Sequence, residues 1–95
     1  MTATQFHKVA KALADPRRFE ILKIIAASDE LSCGAIGAQL PVAQPTISHH
    51  LKELANAGLI EPRKEGQHCY YRLHPKVLAD YIKALQQLTY QLQSL

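Results

Sequence analysis

The chain has little cysteine and no long apolar run. Its two cysteines, Cys33 and Cys69, are too few for a disulfide framework and too far apart for a CxxC metal knuckle. No apolar stretch approaches the ~20 residues that span a bilayer, and the first residues lack the apolar segment of a signal peptide. GxSxG, HExxH, P-loop and GxGxxG patterns are absent too, which removes the common sequence marks of hydrolases, zinc peptidases and nucleotide-binding enzymes. These absences predict a reduced, cytoplasmic protein that has no membrane segment, cofactor or resident metal and is not an enzyme.

What is present is ordinary for a globular domain. At 95 residues the chain predicts one domain, 1–95, with a thin core. A domain of this size buries only roughly 60–65% of its unfolded surface. Apolar residues make up 47% and charged residues 20%, a balance that folds rather than stays disordered. Eleven Lys and Arg against eight Asp and Glu leave +3, with five His in reserve. That bias permits an anionic partner, and two copies would double it.

Apolar spacing divides the chain into five helices and a hairpin. Phe6, Val9, Ala10 and Leu13 mark a first helix over residues 5–14. Asp15 can cap the next helix and Pro16 fits its first turn. Phe19, Leu22 and Ile25, widened by Ile21 and Ile24, form its stripe to about Ala27. After the polar break at Ser28-Asp29-Glu30, Leu31 is expected to pack inward. Ser32 then caps a short third helix reaching Leu40, with Ala35, Ile36 and Leu40 inside. A fourth helix spans 44–57, with Pro45 at its start, Gly58 at its stop and Ile47, Leu51 and Leu54 buried.

Beyond Gly58 the period changes to that of strands. Residues 59–64 and 67–73 read as a hairpin about Glu65-Gly66, with Pro62 tolerable on an edge strand. Pro75 opens a last helix over 75–94. The order ααααββα is mainly α with one β-hairpin, a helix-turn-helix with the hairpin attached.

The last helix carries a seam. Leu78, Leu85 and Leu92 are seven apart, and so are Tyr81, Leu88 and Leu95. Such a helix either covers its own small core or pairs with a second copy. A regular seam on so short a chain favours a homodimer, with Phe6, Val9 and Leu13 of the first helix beside Leu78, Tyr81, Leu85, Leu88 and Leu92.

Four segments then follow one another in order: Leu13-Ala14-Asp15-Pro16-Arg17-Arg18, Gln44 through Lys52, Ala57-Gly58-Leu59-Ile60, and Gly66 followed by Tyr70-Tyr71-Arg72-Leu73. Together they resemble the ArsR/SmtB family of bacterial winged-helix repressors. The resemblance implies a homodimer that binds double-stranded operator DNA and lets go when an inducer arrives. It makes 44–57 the recognition helix, 59–73 the wing and 75–94 the dimerisation helix.

With Ile47, Leu51 and Leu54 inward, the fourth helix leaves Gln44, Thr46, Ser48, His49 and Lys52 on its open side. Gln can bond adenine bidentately, Ser and Thr serve bases or phosphates, and Lys favours phosphate. A solvated polar face would look the same; the resemblance is what points it at DNA. His50 falls on the inner side and reads as a packed, hydrogen-bonded core histidine. Arg63, Lys64, Gln67 and His68 cluster at the hairpin tip, where cations would hold phosphate. Arg17 and Arg18 divide between a phosphate and an acidic partner, with nothing to say which is which. Where the family usually has a polar helix cap, this chain has Ala43. Either Gln44 caps instead, or the first-turn N–H groups await a phosphate.

The signal that would cause release is less legible. Metal-sensing members of the resembled family use Cys pairs near the third helix, or Asp, His and Glu along the last. Here the last helix has no His or Cys and only Asp80 as an acid, too few for a closed zinc site. Cys33 sits one position off the arsenic-sensing pattern, and reads as a small packed residue, a reactive thiol or a soft-metal ligand. Cys69 is expected to face inward with Tyr71 and Leu73, away from His68, so one ion could not take both. A Cys33–Cys69 disulfide stays open, as does a thiol-responsive regulator of the same fold. His7 is expected to be solvated, with a sensor role at the dimer axis as the alternative. A winged-helix module that docks on proteins through residues 44–53 is the remaining alternative.

Overall fold

The computed structural model describes the backbone of residues 1–93 and the side chains of residues 1–91. Its elements run α1 (Ala3–Ala14), α2 (Pro16–Ala26), β1 (Leu31–Ser32), α3 (Cys33–Gly37), α4 (Gln44–Asn56), β2 (Ile60–Glu65), β3 (His68–Leu73) and α5 (Pro75–Gln93).

Local chemistry sets most of the helix ends. The Thr2 hydroxyl accepts from the Gln5 N–H at 3.1 Å, which starts α1 two residues earlier than the apolar spacing implies. The Asp15 carboxylate accepts from the Arg18 N–H at 2.9 Å and Pro16 fills the first position of α2. Ser32 does the same for α3, accepting from Ala35 N–H at 3.0 Å. That helix stops at Gly37, short of Leu40, because the chain tightens there into i→i+3 bonds, Gln39 N–H to Ile36 and Leu40 N–H to Gly37. At the end of α4 the Gly58 N–H reaches the Ala55 carbonyl and the Leu59 N–H reaches Leu54. This paired closure needs a left-handed residue, and Gly58 supplies it at φ +82.

The core lies where α1, α2, α3 and α4 meet the sheet. Ile21, Ile25, Ile36, Ile47, Leu51, Leu54, Leu59 and Val9 are fully enclosed. Phe19 is not among them. It is 43% exposed, more than a quarter-turn from the centre of the Ile21, Leu22 and Ile25 stripe, with the Lys23 ammonium 5.6 Å from its ring.

The sheet has three strands, not two, in the order β1-β3-β2 and antiparallel throughout. Leu31 faces Tyr71 and Ser32 faces Tyr70, so Leu31 sits in a strand and is only half-buried. Two residues are too few to show alternation in a sequence. Pro62 lies on β2, which is an edge, so its missing N–H is harmless. The hairpin pairs Glu65 with His68, moving the two-residue loop to Gly66-Gln67. Gly66, at φ +61, takes the first loop position, where II′ turns place glycine.

The molecule measures 53 × 25 × 23 Å, and exposure along α5 shows which element extends it. Val77 is buried, Leu78 and Tyr81 are half-buried, and Ile82, Leu85, Leu88 and Tyr90 lie open. No helix among the described residues is long and apolar enough to cross a membrane.

Candidate nucleic-acid interface

Helix α4 is held from beneath and open above. Ile47, Leu51 and Leu54 have no exposed surface, while Gln44, Thr46, Ser48, His49 and Lys52 are all exposed. The sequence-derived division between the two faces is the one the structure has. His50 is on the inner face at 9% exposure, but its Nδ1 has no hydrogen-bond partner, against the expectation of a satisfied core histidine. Its ring lies 6.0 Å from that of His49.

The start of α4 differs from the expectation at Gln44. Ala43 provides no side-chain cap, and Gln44 does not replace it. Its amide folds back onto α3, donating from Nε2 to the Cys33 Sγ at 2.8 Å. Gly37 makes room for this, since a Cβ there would fall 2.6 Å from Gln44 Oε1. Ser48 lies against the same sulfur, its Oγ 3.9 Å away. Thr46 and Ile47 send their N–H groups to the Ala43 carbonyl and Pro45 has none, so the Gln44 N–H is the donor this turn leaves over.

The hairpin tip separates its cations. Arg63 is doubly bonded to the Glu30 carboxylate at 2.6 and 3.0 Å and also meets Glu65 at 2.7 Å, with its guanidinium over the Tyr70 ring at 4.8 Å. Its hydrogen bonds to the Glu30 carboxylate, then to that of Glu65, hold the guanidinium even more firmly charged than usual, and Arg63 in turn pulls the Glu30 carboxyl down. These exposed pairs contribute little stability but fix where Arg63 points. Lys64, Gln67 and His68 remain exposed beside it. Glu30 was legible only as part of a polar break; β1 is what carries it to the wing.

Arg17 and Arg18 resolve differently. Arg17 pairs with Glu20 at 2.9 Å, whereas the Arg18 Nε donates to the Ala12 carbonyl at 2.9 Å, tying α2 to α1. On β3, Cys69 shares a face with Tyr71; burial, then the neighbouring Cys69 thiol, pushes the Tyr71 hydroxyl pKa up. Tyr71 and Leu73 pack on the core. Among the described residues no group of three or more His, Cys, Asp or Glu could hold a metal ion.

The predicted dimer face is part core and part surface. Val9 is fully enclosed in its own chain and cannot meet a partner, because it lies on the side of α1 that seats against the core. Phe6 stacks on Tyr81 with ring centroids 4.8 Å apart, joining α1 to α5. Leu13 and Leu78 pack partly on the core. Leu85 is 41% and Leu88 58% exposed, and Ile82, which the heptad reading passed over, is 48% exposed. The Leu92 side chain and all of Leu95 lie outside the described residues. His7 is exposed.

A helix-turn-helix domain family matches residues 13–63. An arsenic resistance transcriptional regulator of Pseudomonas putida is 44% identical over 69 residues, covering 73% of this chain and 54% of that protein. The chain thus spans about half the length of that relative. The transcriptional repressor SdpR of Bacillus subtilis is 38% identical, over 80% of this chain and 83% of the repressor. Among solved structures, an ArsR-like transcriptional regulator from Rhodococcus sp. RHA1 superimposes with a TM-score of 0.87 at 27% identity, covering 96% of this chain and 85% of that one. A homodimeric winged helix-turn-helix DNA-binding domain from Mycobacterium bovis, a possible ArsR-family regulator, gives 0.73 at 35% identity, over 93% of this chain and 80% of that one. The order of elements, the polar outer face of α4 and these likenesses agree: the chain belongs to the ArsR family of winged helix-turn-helix transcriptional regulators.

Proposed function

We propose that the chain is one winged-helix domain that dimerises and represses transcription by binding operator DNA. The observation that carries this is α4, whose three fully buried anchors present Thr46, Ser48, His49 and Lys52 together on the opposite face. In this reading α4 enters the major groove, where those side chains meet base edges and phosphates. Gln44, seated on Cys33, positions the first turn instead of reading bases. Lys64, Gln67 and His68 of the hairpin lie along the adjacent backbone, with Arg63 held by Glu30 as a fixed charge beside them. The exposed Ile82, Leu85 and Leu88 are covered by the same face of a second copy, which sets two α4 helices against two half-sites. The homodimeric relative from Mycobacterium bovis supports that assembly. The chain acts in the cytoplasm without catalysis, and an inducer releases it.

Fluorescence anisotropy on a duplex from the region upstream of its own gene, against a scrambled duplex at about 0.15 M salt, tests the reading. Specific affinity in the ~10⁻⁸–10⁻¹¹ M range against ~10⁻⁴–10⁻⁶ M for the scrambled duplex is the expected result. Equal affinity for both duplexes would overturn sequence-specific repression at that promoter.

A further inference from the structure

The two cations of the hairpin tip are not equally free. Arg63 shares a rung with Tyr70, which on its other side pairs with Ser32, and its guanidinium lies over the Tyr70 ring on the way to the segment before β1. There the Glu30 carboxylate takes two of its N–H groups at 2.6 and 3.0 Å. Glu65, two residues along on the same face of β2, takes a third at 2.7 Å. One cation between two carboxylates leaves the group at −1. Lys64 points to the other face of β2 by alternation, is exposed, and enters no ion pair among the described residues.

We propose that Glu30 and Glu65 withhold Arg63 from the DNA backbone, so that the wing makes one phosphate contact fewer than its cations allow. This rests on the DNA-binding reading above, but not on sequence selectivity, because phosphate contacts carry none. Net charge decides it. The carboxylate oxygens lie within 3.0 Å of the guanidinium nitrogens, well inside the ~8 Å over which charges act at physiological salt. A phosphate that approaches Arg63 therefore meets two negative charges along with one positive charge, and gains nothing. These pairs are partly exposed, so their own strength is not what holds the arginine. What holds it is the charge left behind: if Arg63 swung to a phosphate, two bare carboxylates would remain at the same wing tip. Glu30 and Glu65 thus act through Arg63 as positioning residues. They set how tightly the chain binds DNA, not which sequence it prefers.

Three full-length chains test this by anisotropy on the operator and scrambled duplexes at three salt concentrations: the parent, Glu30→Gln with Glu65→Gln, and that double variant with Arg63→Gln added. The double variant should bind both duplexes more tightly than the parent at about 0.15 M salt. Its added phosphate contact should also make it lose about 3–4-fold more affinity than the parent between about 50 and 200 mM salt. Adding Arg63→Gln should take back both the gain and the steeper slope. A double variant that binds no tighter than the parent would overturn the proposal, and so would a gain that survives Arg63→Gln, since that gain belongs to the carboxylates alone. The contact itself is read without DNA from the Arg63 Nε–H in ¹⁵N-resolved NMR spectra. Its exchange with water should be slower in the parent than in Glu30→Gln, and equal exchange would overturn the latch. Selective binding by the parent with no gain in the double variant sinks the withholding and leaves the DNA reading standing. A parent that binds neither duplex sinks both.

Discussion

Helices α4 and α5 are both two-faced, yet they leave opposite chemistries uncovered. Under α4 every large apolar side chain is sealed, and its outer face is hydroxyl, imidazole, amide and ammonium. Under α5 the sealing stops at Val77, and Ile82, Leu85 and Leu88 stand 41 to 58% exposed. A polar face is already satisfied by water and changes partner only for something that replaces those hydrogen bonds. An apolar face is unsatisfied until it is covered, at about 25 cal/mol for each Å². One chain therefore specifies two kinds of partner through what it leaves open. In the proposed function the apolar face of α5 is covered by a second copy of itself, and the polar face of α4 by the edges and phosphates of a groove.

That contrast is broken most severely from inside α4. Leu51→Ala removes a side chain with no exposed surface and should cost about 2–5 kcal/mol, a large share of the ~5–15 kcal/mol typical of a whole domain. Urea denaturation would show the midpoint fall; a loss below 1 kcal/mol would mean that α4 is not the anchored element described. Changes on the open face of α5 should separate copies instead of unfolding them. Leu85→Glu with Leu88→Glu forfeits about 1.5–3 kcal/mol of apolar burial, each side chain being only half exposed beforehand, so dimer dissociation should rise roughly 10–100-fold or more. Sedimentation reads the association and far-UV circular dichroism reads the fold. A variant still dimeric at micromolar concentration would remove α5 from the interface.

How far each face could be read in advance follows the range of the contacts that make it. The α4 stripe at Ile47, Leu51 and Leu54 is local and periodic, so the sequence displays it, as it does the Asp15-Pro16 and Gly58 boundaries. The α5 seam is periodic too, though Ile82 adds to it from outside the heptad positions. What was not legible depends on partners far along the chain. Strand β1 is two residues long and exists only because β3 pairs with it. Glu30 becomes a wing residue only once β1 places it beside Arg63. The hydrogen bond of the Gln44 amide to Cys33 was not legible either, since it depends on α3 bringing Cys33 and Gly37 under that side chain. Val9 has the right spacing for an outer face, but the core takes it first.

Within the polar surface the comparison can be sharpened by asking which residues read sequence and which only hold. Ser48→Ala with His49→Ala should cost about 1–3 kcal/mol on the operator and less on a scrambled duplex, narrowing the ratio between them. Lys64→Ala should weaken both duplexes alike and reduce the salt slope by about 1, as expected for one phosphate contact. Anisotropy titrations at three salt concentrations separate the cases. Equal losses on both duplexes for the Ser48 and His49 variant would erase the division between reading face and wing.

The smallest effect tests the contrast between a helix start that is capped and one that is not. Asp15 caps α2, and the Arg18 N–H bonded to its carboxylate holds its pKa below the usual value, with the charge of His50 adding in the same direction. A carboxylate whose pKa is lower in the folded chain gives stability that is fully present above the unfolded value of about 3.9 and disappears as pH falls through the folded value. Asp15→Asn keeps a side-chain oxygen for the cap but has nothing to titrate. Its melting temperature should fall slightly at pH 7, and its decline with acid should be shallower than that of the parent chain. Some decline will remain, because Arg63 lowers the Glu30 carboxyl and Lys76 lowers that of Asp80. Ala43, by contrast, caps α4 with nothing that titrates, so the acid limb should report on α2 and leave α4 unmarked. Thermal melts from pH 7 to pH 2 compare the two chains, and superimposable acid limbs would show that the Asp15 cap contributes no pH-dependent stability.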